Sequence, residues 1–132
     1  MDPKKIRDAL MIDEDKLQEE MLQRLQAHIG LDSRGHIHIR EPTRYRQKDA
    51  IALYLIGARY ASEAGLREVD SATLSEVSQA LGVDTRIVAA RLAELREEGK
   101  AESPARGEYR IVFARVPWIV NELKANSGAR ER

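Results

Sequence analysis

The chain has 132 residues, no cysteine, and 22 basic against 22 acidic side chains. That length suits one domain with an appended helix or tail, and the missing cysteines exclude disulfides, Cys-ligated zinc and thiol catalysis. Charged residues make up 33% and aromatics only 5%, and no apolar run nears the roughly 20 residues of a membrane span, so a soluble cytoplasmic protein with a helix-rich surface, an aliphatic core and no membrane partner is expected.

Asp2-Pro3 reads as a helix N-cap followed by proline in the first turn. A second start lies at Asp13 to Asp15, whose carboxylates suit the positive end of a helix dipole better than a metal site. Leu17, Met21, Leu25 and Ile29 recur every four residues with Leu22 beside them, which predicts one apolar helix face ending at Gly30. In residues 31–41 Ile37 and Ile39 share one face of a short strand, and His36, His38 and Arg40 the other. Two histidines at this spacing can reach one metal, but no third ligand is near in sequence, so a polar strand face is expected and no metal or cofactor is assigned. Pro42 breaks the strand, and Thr43 to Lys48 form a basic connector.

Residues 47–64 are the most apolar stretch, with Ile51, Leu55 and Ala58 at helical spacing and Tyr54 and Ala61 beside them. Gly57 in the helix interior costs about 1 kcal/mol against alanine, which points to close packing against another helix. Gly65 closes this helix, and Leu66 to Ala72 read as a linker. Thr73 and Glu76 have the spacing of a capping box. Leu74, Val77 and Leu81 face inward on the short helix that follows, Gly82 ends it, Val83 plugs the turn and Asp84 caps the next helix. There Val88, Leu92 and Leu95 form the buried stripe, and Gly99 is the stop. Lys100 to Ser103, a four-residue loop from Pro104 to Gly107, and Glu108 to Ala114 predict a β-hairpin with Tyr109, Ile111 and Phe113 on one face. Pro117 opens a last helix with Trp118, Ile119 and Leu123 on its apolar face.

In this order and spacing, residues 45–114 resemble the winged helix-turn-helix of DNA-binding proteins, small archaeal transcriptional regulators among them. The resemblance implies a mostly α, α+β fold: an N-terminal helical segment over 1–30, a short strand and basic connector over 31–44, a winged-helix domain over 45–115, a C-terminal helix over 116–125, and a flexible tail over 126–132. It implies that helix 84–98 enters the major groove while the 104–107 loop meets the backbone or minor groove. It also implies a homodimer built from the flanking helices, with Leu17, Met21, Leu25 and Ile29 on one and Trp118, Ile119 and Leu123 on the other.

The zero net charge hides an uneven distribution. Residues 31–48 carry five basic and two acidic groups and residues 100–132 seven and four, each net +3; the segments 1–30, 49–70 and 71–99 are each net −2. Projected on a helical wheel, Arg86, Ala90, Ala93 and Glu97 point outward, flanked by Ile87, Ala89, Arg91 and Glu94. The candidate nucleic-acid contacts are therefore Arg44, Arg46 and Lys48 before the first helix, Thr85, Arg86, Ala89, Ala90 and Arg91 on the recognition helix, and Lys100, Arg106 and Arg110 on or beside the hairpin. The expected function is a dimeric transcriptional regulator on double-stranded DNA. The alternative is a winged helix used as a protein or RNA/ribosome interaction module, motivated by the zero net charge and the Ala-rich, partly acidic face. No serine, carboxylate or Gly-rich loop arrangement points to an enzyme.

Overall fold

Helix α3 (Gln47–Glu63) is buried along its whole middle, from Asp49 to Ala58. A helix apolar on all sides has to be covered on all sides, and the other elements are arranged to do so. The structure is a computed structural model describing residues 1–130, with side chains up to Leu123. Its class is α+β.

Two groups of elements cover α3. The first follows it in sequence: β3 (Ala72–Thr73), α4 (Leu74–Leu81), α5 (Thr85–Glu97), β4 (Ala101–Ala105) and β5 (Glu108–Ile111). Its three strands form an antiparallel sheet in the order β3-β5-β4. Val77, Val88, Leu92, Leu95, Ala101 and Ile111 bring their side chains into the core. The second group comes from both ends of the chain: α2 (Glu14–Leu25), the hairpin of β1 (Ile29–Leu31) and β2 (Ile37–Ile39), and α6 (Val116–Arg130). Helix α1 (Pro3–Leu10) precedes them and buries no residue.

Several sequence expectations are corrected. Helix α2 stops at Leu25, not Gly30, because Ile29 pairs with Ile39 and the His28 carbonyl accepts from the Arg40 N–H at 2.8 Å. The ladder therefore satisfies backbone groups that the four-residue spacing assigned to a helix, and Gly30 lies inside a strand opposite His38. The 66–72 linker ends in strand β3, which pairs Ala72 with Tyr109. The second hairpin turns on Arg106 and Gly107 alone, the latter at φ 77°, and β4 reaches Ala105 through an irregularity between Glu102 and Ala105. A bulge is where a strand tolerates Pro104. Strand β5 ends at Ile111, so Phe113 lies in a 3₁₀ turn, its ring edge-on to Tyr60 at 5.7 Å and under the Arg59 guanidinium at 4.5 Å. Helix α6 runs through Arg130, past the expected start of a tail at 126; residues 131 and 132 lie outside the described residues.

The proposed dimer face divides in two. Leu25, Ile29, Ile119 and Leu123 are buried in the chain's own core, whereas Leu17 and Trp118 stay 50% and 58% exposed and Met21 is half-buried. Among the described residues no helix is long and apolar enough to cross a membrane.

Gly57 marks a close approach, but to a strand rather than a helix: a Cβ there would collide with the side chain of Ile37 on β2. Gly57→Ala gains about 1 kcal/mol of helix propensity but forces Ile37 out of place, an overpacking cost of roughly 1–3 kcal/mol. The expected outcome is a net loss of stability in chemical denaturation. Ile37→Ala in the same background should relieve the clash, so that the two changes together cost less than the sum of each alone.

Candidate nucleic-acid interface

The α4–α5 pair is fixed by local chemistry that the sequence announces. Thr73 caps α4, its Oγ1 accepting from the Glu76 N–H at 3.1 Å. The reciprocal half of the expected capping box is absent, because the Glu76 carboxylate is engaged elsewhere. Its Oε2 accepts from the Tyr54 hydroxyl on α3 at 2.7 Å, and the Arg67 guanidinium donates to both its oxygens at 2.7 and 2.8 Å. Arg67 also donates to the Ser71 carbonyl at 2.7 Å, so one side chain ties the 66–72 segment to α4. Burial alone would raise the Glu76 carboxyl pKa, but the Arg67 and Tyr54 hydrogen bonds outweigh it and hold the pKa below its ordinary value.

Gly82 then takes φ 66°, the left-handed conformation that ends a helix without a Cβ penalty. The Ser78 hydroxyl donates to the Val83 carbonyl at 2.5 Å, closing the turn, and Asp84 caps α5 by accepting from the Arg86 N–H at 2.7 Å. Val88, Leu92 and Leu95 point inward as the stripe predicts. The opposite face presents Arg86, Ile87, Ala90, Ala93 and Glu97 to solvent, with the Arg86 side chain 92% exposed. Between α5 and the hairpin runs an open groove of about 610 Å³ lined by Ala93, Arg96, Glu97, Ala101, Glu102 and Ser103.

Most of the expected phosphate contacts have carboxylate partners. Lys48 donates to Glu98 at 2.7 Å and Lys100 to Glu122 at 2.7 Å, with Glu98 also 3.6 Å from Lys100. This alternating chain links α3, the end of α5, the start of β4 and α6, and it leaves the Lys48 and Lys100 side chains only 25% and 15% exposed. Arg46 pairs with Asp49 at 3.0 Å, Arg44 with Glu41 at 3.4 Å, Arg91 with Glu94 at 3.2 Å and Arg110 with Glu102 at 2.6 Å. Thr85 is exposed at the start of α5, Ala89 half-buried and Ala90 exposed. Two exposed cations of this surface have no salt bridge among the described residues: Arg106 at the hairpin tip and Arg96 in the groove. Arg96 went unassigned in the sequence because it lies off the outward line of α5; only the position of the hairpin brings it into the groove.

On the first hairpin, His36 and His38 share a hydrogen-bonding partner. Asp32 Oδ2 lies 3.1 Å from His36 Nδ1 and 2.9 Å from His38 Nε2, while Oδ1 accepts from the backbone N–H groups of Arg34 and His36. The His38 hydrogen bond, the backbone donors and His36 hold the Asp32 carboxyl well below the usual carboxylate range. Among the described residues no group of three or more His, Asp or Glu side chains is arranged to hold a metal ion.

In comparisons with known proteins the chain matches no family model, no curated protein and no solved structure.

The Glu76 cluster generates a pH prediction. Its folded-state pKa is depressed, so its stabilisation is complete above the ordinary carboxyl value of 4.5 and is lost as pH falls through the folded value. Glu76→Gln should cost about 1.5–3 kcal/mol near neutrality, the range for hydrogen bonds to a charged group. That deficit should shrink as denaturation midpoints are followed below pH 4.5.

Proposed function

We propose that the chain is a winged-helix protein that binds double-stranded DNA through α5 and the β4–β5 hairpin and acts as a transcriptional regulator. The observation that carries this reading is the order helix, strand, helix, helix, strand, strand from Gln47 to Ile111, with the lone strand β3 paired to β5. The resemblance implies the three helices and the hairpin in this order, with a linker where β3 stands; the second helix of the pair has an exposed face and the hairpin tip carries a cation. In this mechanism the N-terminal half of α5 lies along the major groove. Arg86 reaches a phosphate or a guanine edge, and Ala90 and Ala93 can contact thymine methyls. Arg106 reaches the backbone or the minor groove, where a narrow A·T tract concentrates negative potential.

The carboxylate partners narrow the basis of affinity. With Lys48, Lys100 and Arg110 tied to Glu98, Glu122 and Glu102, the phosphate contacts fall to Arg96 and Arg106, which have no salt bridge among the described residues, and to Arg86, which lies 3.6 Å from the Asp84 carboxylate but keeps its side chain 92% exposed. Three neutralised phosphates predict a slope of log affinity on log salt of about −3 or shallower. A second reading has its own support: Glu97 and Glu102 line the same groove as Arg96, and Glu94 pairs with Arg91 on the same helix, a balance of charge that suits a protein or RNA/ribosome partner better than a bare phosphate backbone.

An anisotropy titration on duplex DNA at several salt concentrations tests the proposal. Arg86→Ala and Arg106→Ala should each weaken binding roughly 5- to 10-fold and make the salt slope shallower by about 1. Lys48→Ala should lower stability and leave the slope unchanged. No binding in the micromolar range at low salt, or unchanged affinity in both arginine variants, would overturn the DNA reading and favour the second.

A further inference from the structure

We propose that the chain self-associates by exchange of α1, the N-terminal helix of each copy docking in a cleft of the other. Two unpartnered features within one chain carry this. Helix α1 buries nothing, and Ile6 and Leu10 lie on one of its faces at i and i+4. Leu10, Met11 and Ile12 follow one another at 73%, 73% and 65% exposure, an apolar run that monomeric surfaces avoid. The second feature is an apolar cleft of about 390 Å³ between α2, α3 and the Phe113 turn, floored by Leu17, Met21, Tyr60, Phe113, Val116 and Pro117. A helix presenting anchors at i and i+4 to a hydrophobic groove is a recurrent recognition mode.

Charge selects the occupant. Helix α1 carries Lys4, Lys5 and Arg7 against Asp8, net +2; helix α2, which forms one wall of the cleft, carries Glu14, Asp15, Glu19 and Glu20 against Lys16 and Arg24, net −2. The chain's own α1 does not fill the cleft: it buries no residue and none of its residues lines the cleft, which leaves both helix and cleft for a second copy. One helix of this length, about 12 Å, covers too little for a stable interface of at least roughly 1,200 Å². A two-fold axis supplies the contact twice and so doubles the buried area. This interface differs from the one the sequence suggests, because Leu25, Ile29, Ile119 and Leu123 are already covered within the chain.

Sedimentation equilibrium of the full chain without DNA, from low to high micromolar, tests this independently of the DNA proposal. Emission from Trp118, the only tryptophan, which adjoins cleft residue Pro117, is followed alongside. The expected result is a monomer–dimer equilibrium with Trp118 emission changing as dimer forms. Leu10→Asp on the helix and Leu17→Asp in the cleft should each raise the dissociation constant roughly a hundredfold, with native circular dichroism because both positions are exposed. Mixing the two variants should partly restore association, since one of the two docking contacts is then intact. A monomer at all concentrations, a dimer indifferent to Leu10→Asp, or a Trp118 change that depends on α1 but not on concentration would overturn the proposal.

Discussion

The all-round burial of α3 is the constraint from which the rest follows. Ile51, Leu53, Leu55 and Ile56 face different directions around the helix and are all inaccessible to solvent. Each such aliphatic side chain gains roughly 1.5–3 kcal/mol only when fully removed from water, so cover is required on every side. The elements after α3 supply part of it through Val77, Val88, Leu92 and Leu95. The elements before it and the last helix supply the rest through Leu25, Ile29, Ile37, Ile119 and Leu123. The face of α5 turned to solvent is thus set by which of its residues α3 needs, and the hairpin follows because β5 packs on α3 as well.

Electrostatics divide along the same line. The runs of basic residues in the sequence look like an affinity for polyanions. In the fold many of those cations hold elements together instead: the Lys48–Glu98–Lys100–Glu122 chain joins both ends of the α5–β4 connection to α3 and α6. Exposed pairs contribute little stability individually, while partly shielded chains that share partners lose less to screening and entropy. The proposed DNA surface is left with Arg86 and Arg106 at its extremities, Arg96 beside Glu97 and Glu102 in the groove between them, and small residues such as Ala90 and Ala93 on the face of α5. Such a face suits modest affinity and readout by apolar contact and shape more than by many hydrogen bonds.

Local signals in the sequence were legible where local chemistry decides. The Thr73 and Asp84 caps, the Gly82 turn and the Val88–Leu92–Leu95 stripe lie at their expected positions because each depends on residues within about one turn. What was missed depends on distant residues. Strand β1 was hidden because a four-residue apolar spacing cannot reveal that its last member pairs with Ile39. The two-residue β3 has no periodicity at all and exists because Tyr109 lies opposite Ala72. The partners of the candidate cations were equally hidden: Lys48 finds Glu98 50 positions away and Lys100 finds Glu122 22 positions away. Counting charges by segment therefore located the basic stretches, but not which cations still face solvent.

The central claim is that the exposed side of α5 and the tip of the β4–β5 hairpin together form a DNA-binding surface. Its most direct test is amide chemical-shift mapping of the full chain titrated with duplex DNA at low salt. The account predicts shifts concentrated at residues 84–97 and 104–108, with α1 and α2 unmoved. Shifts confined to the α2 face, or none at saturating duplex, would contradict it.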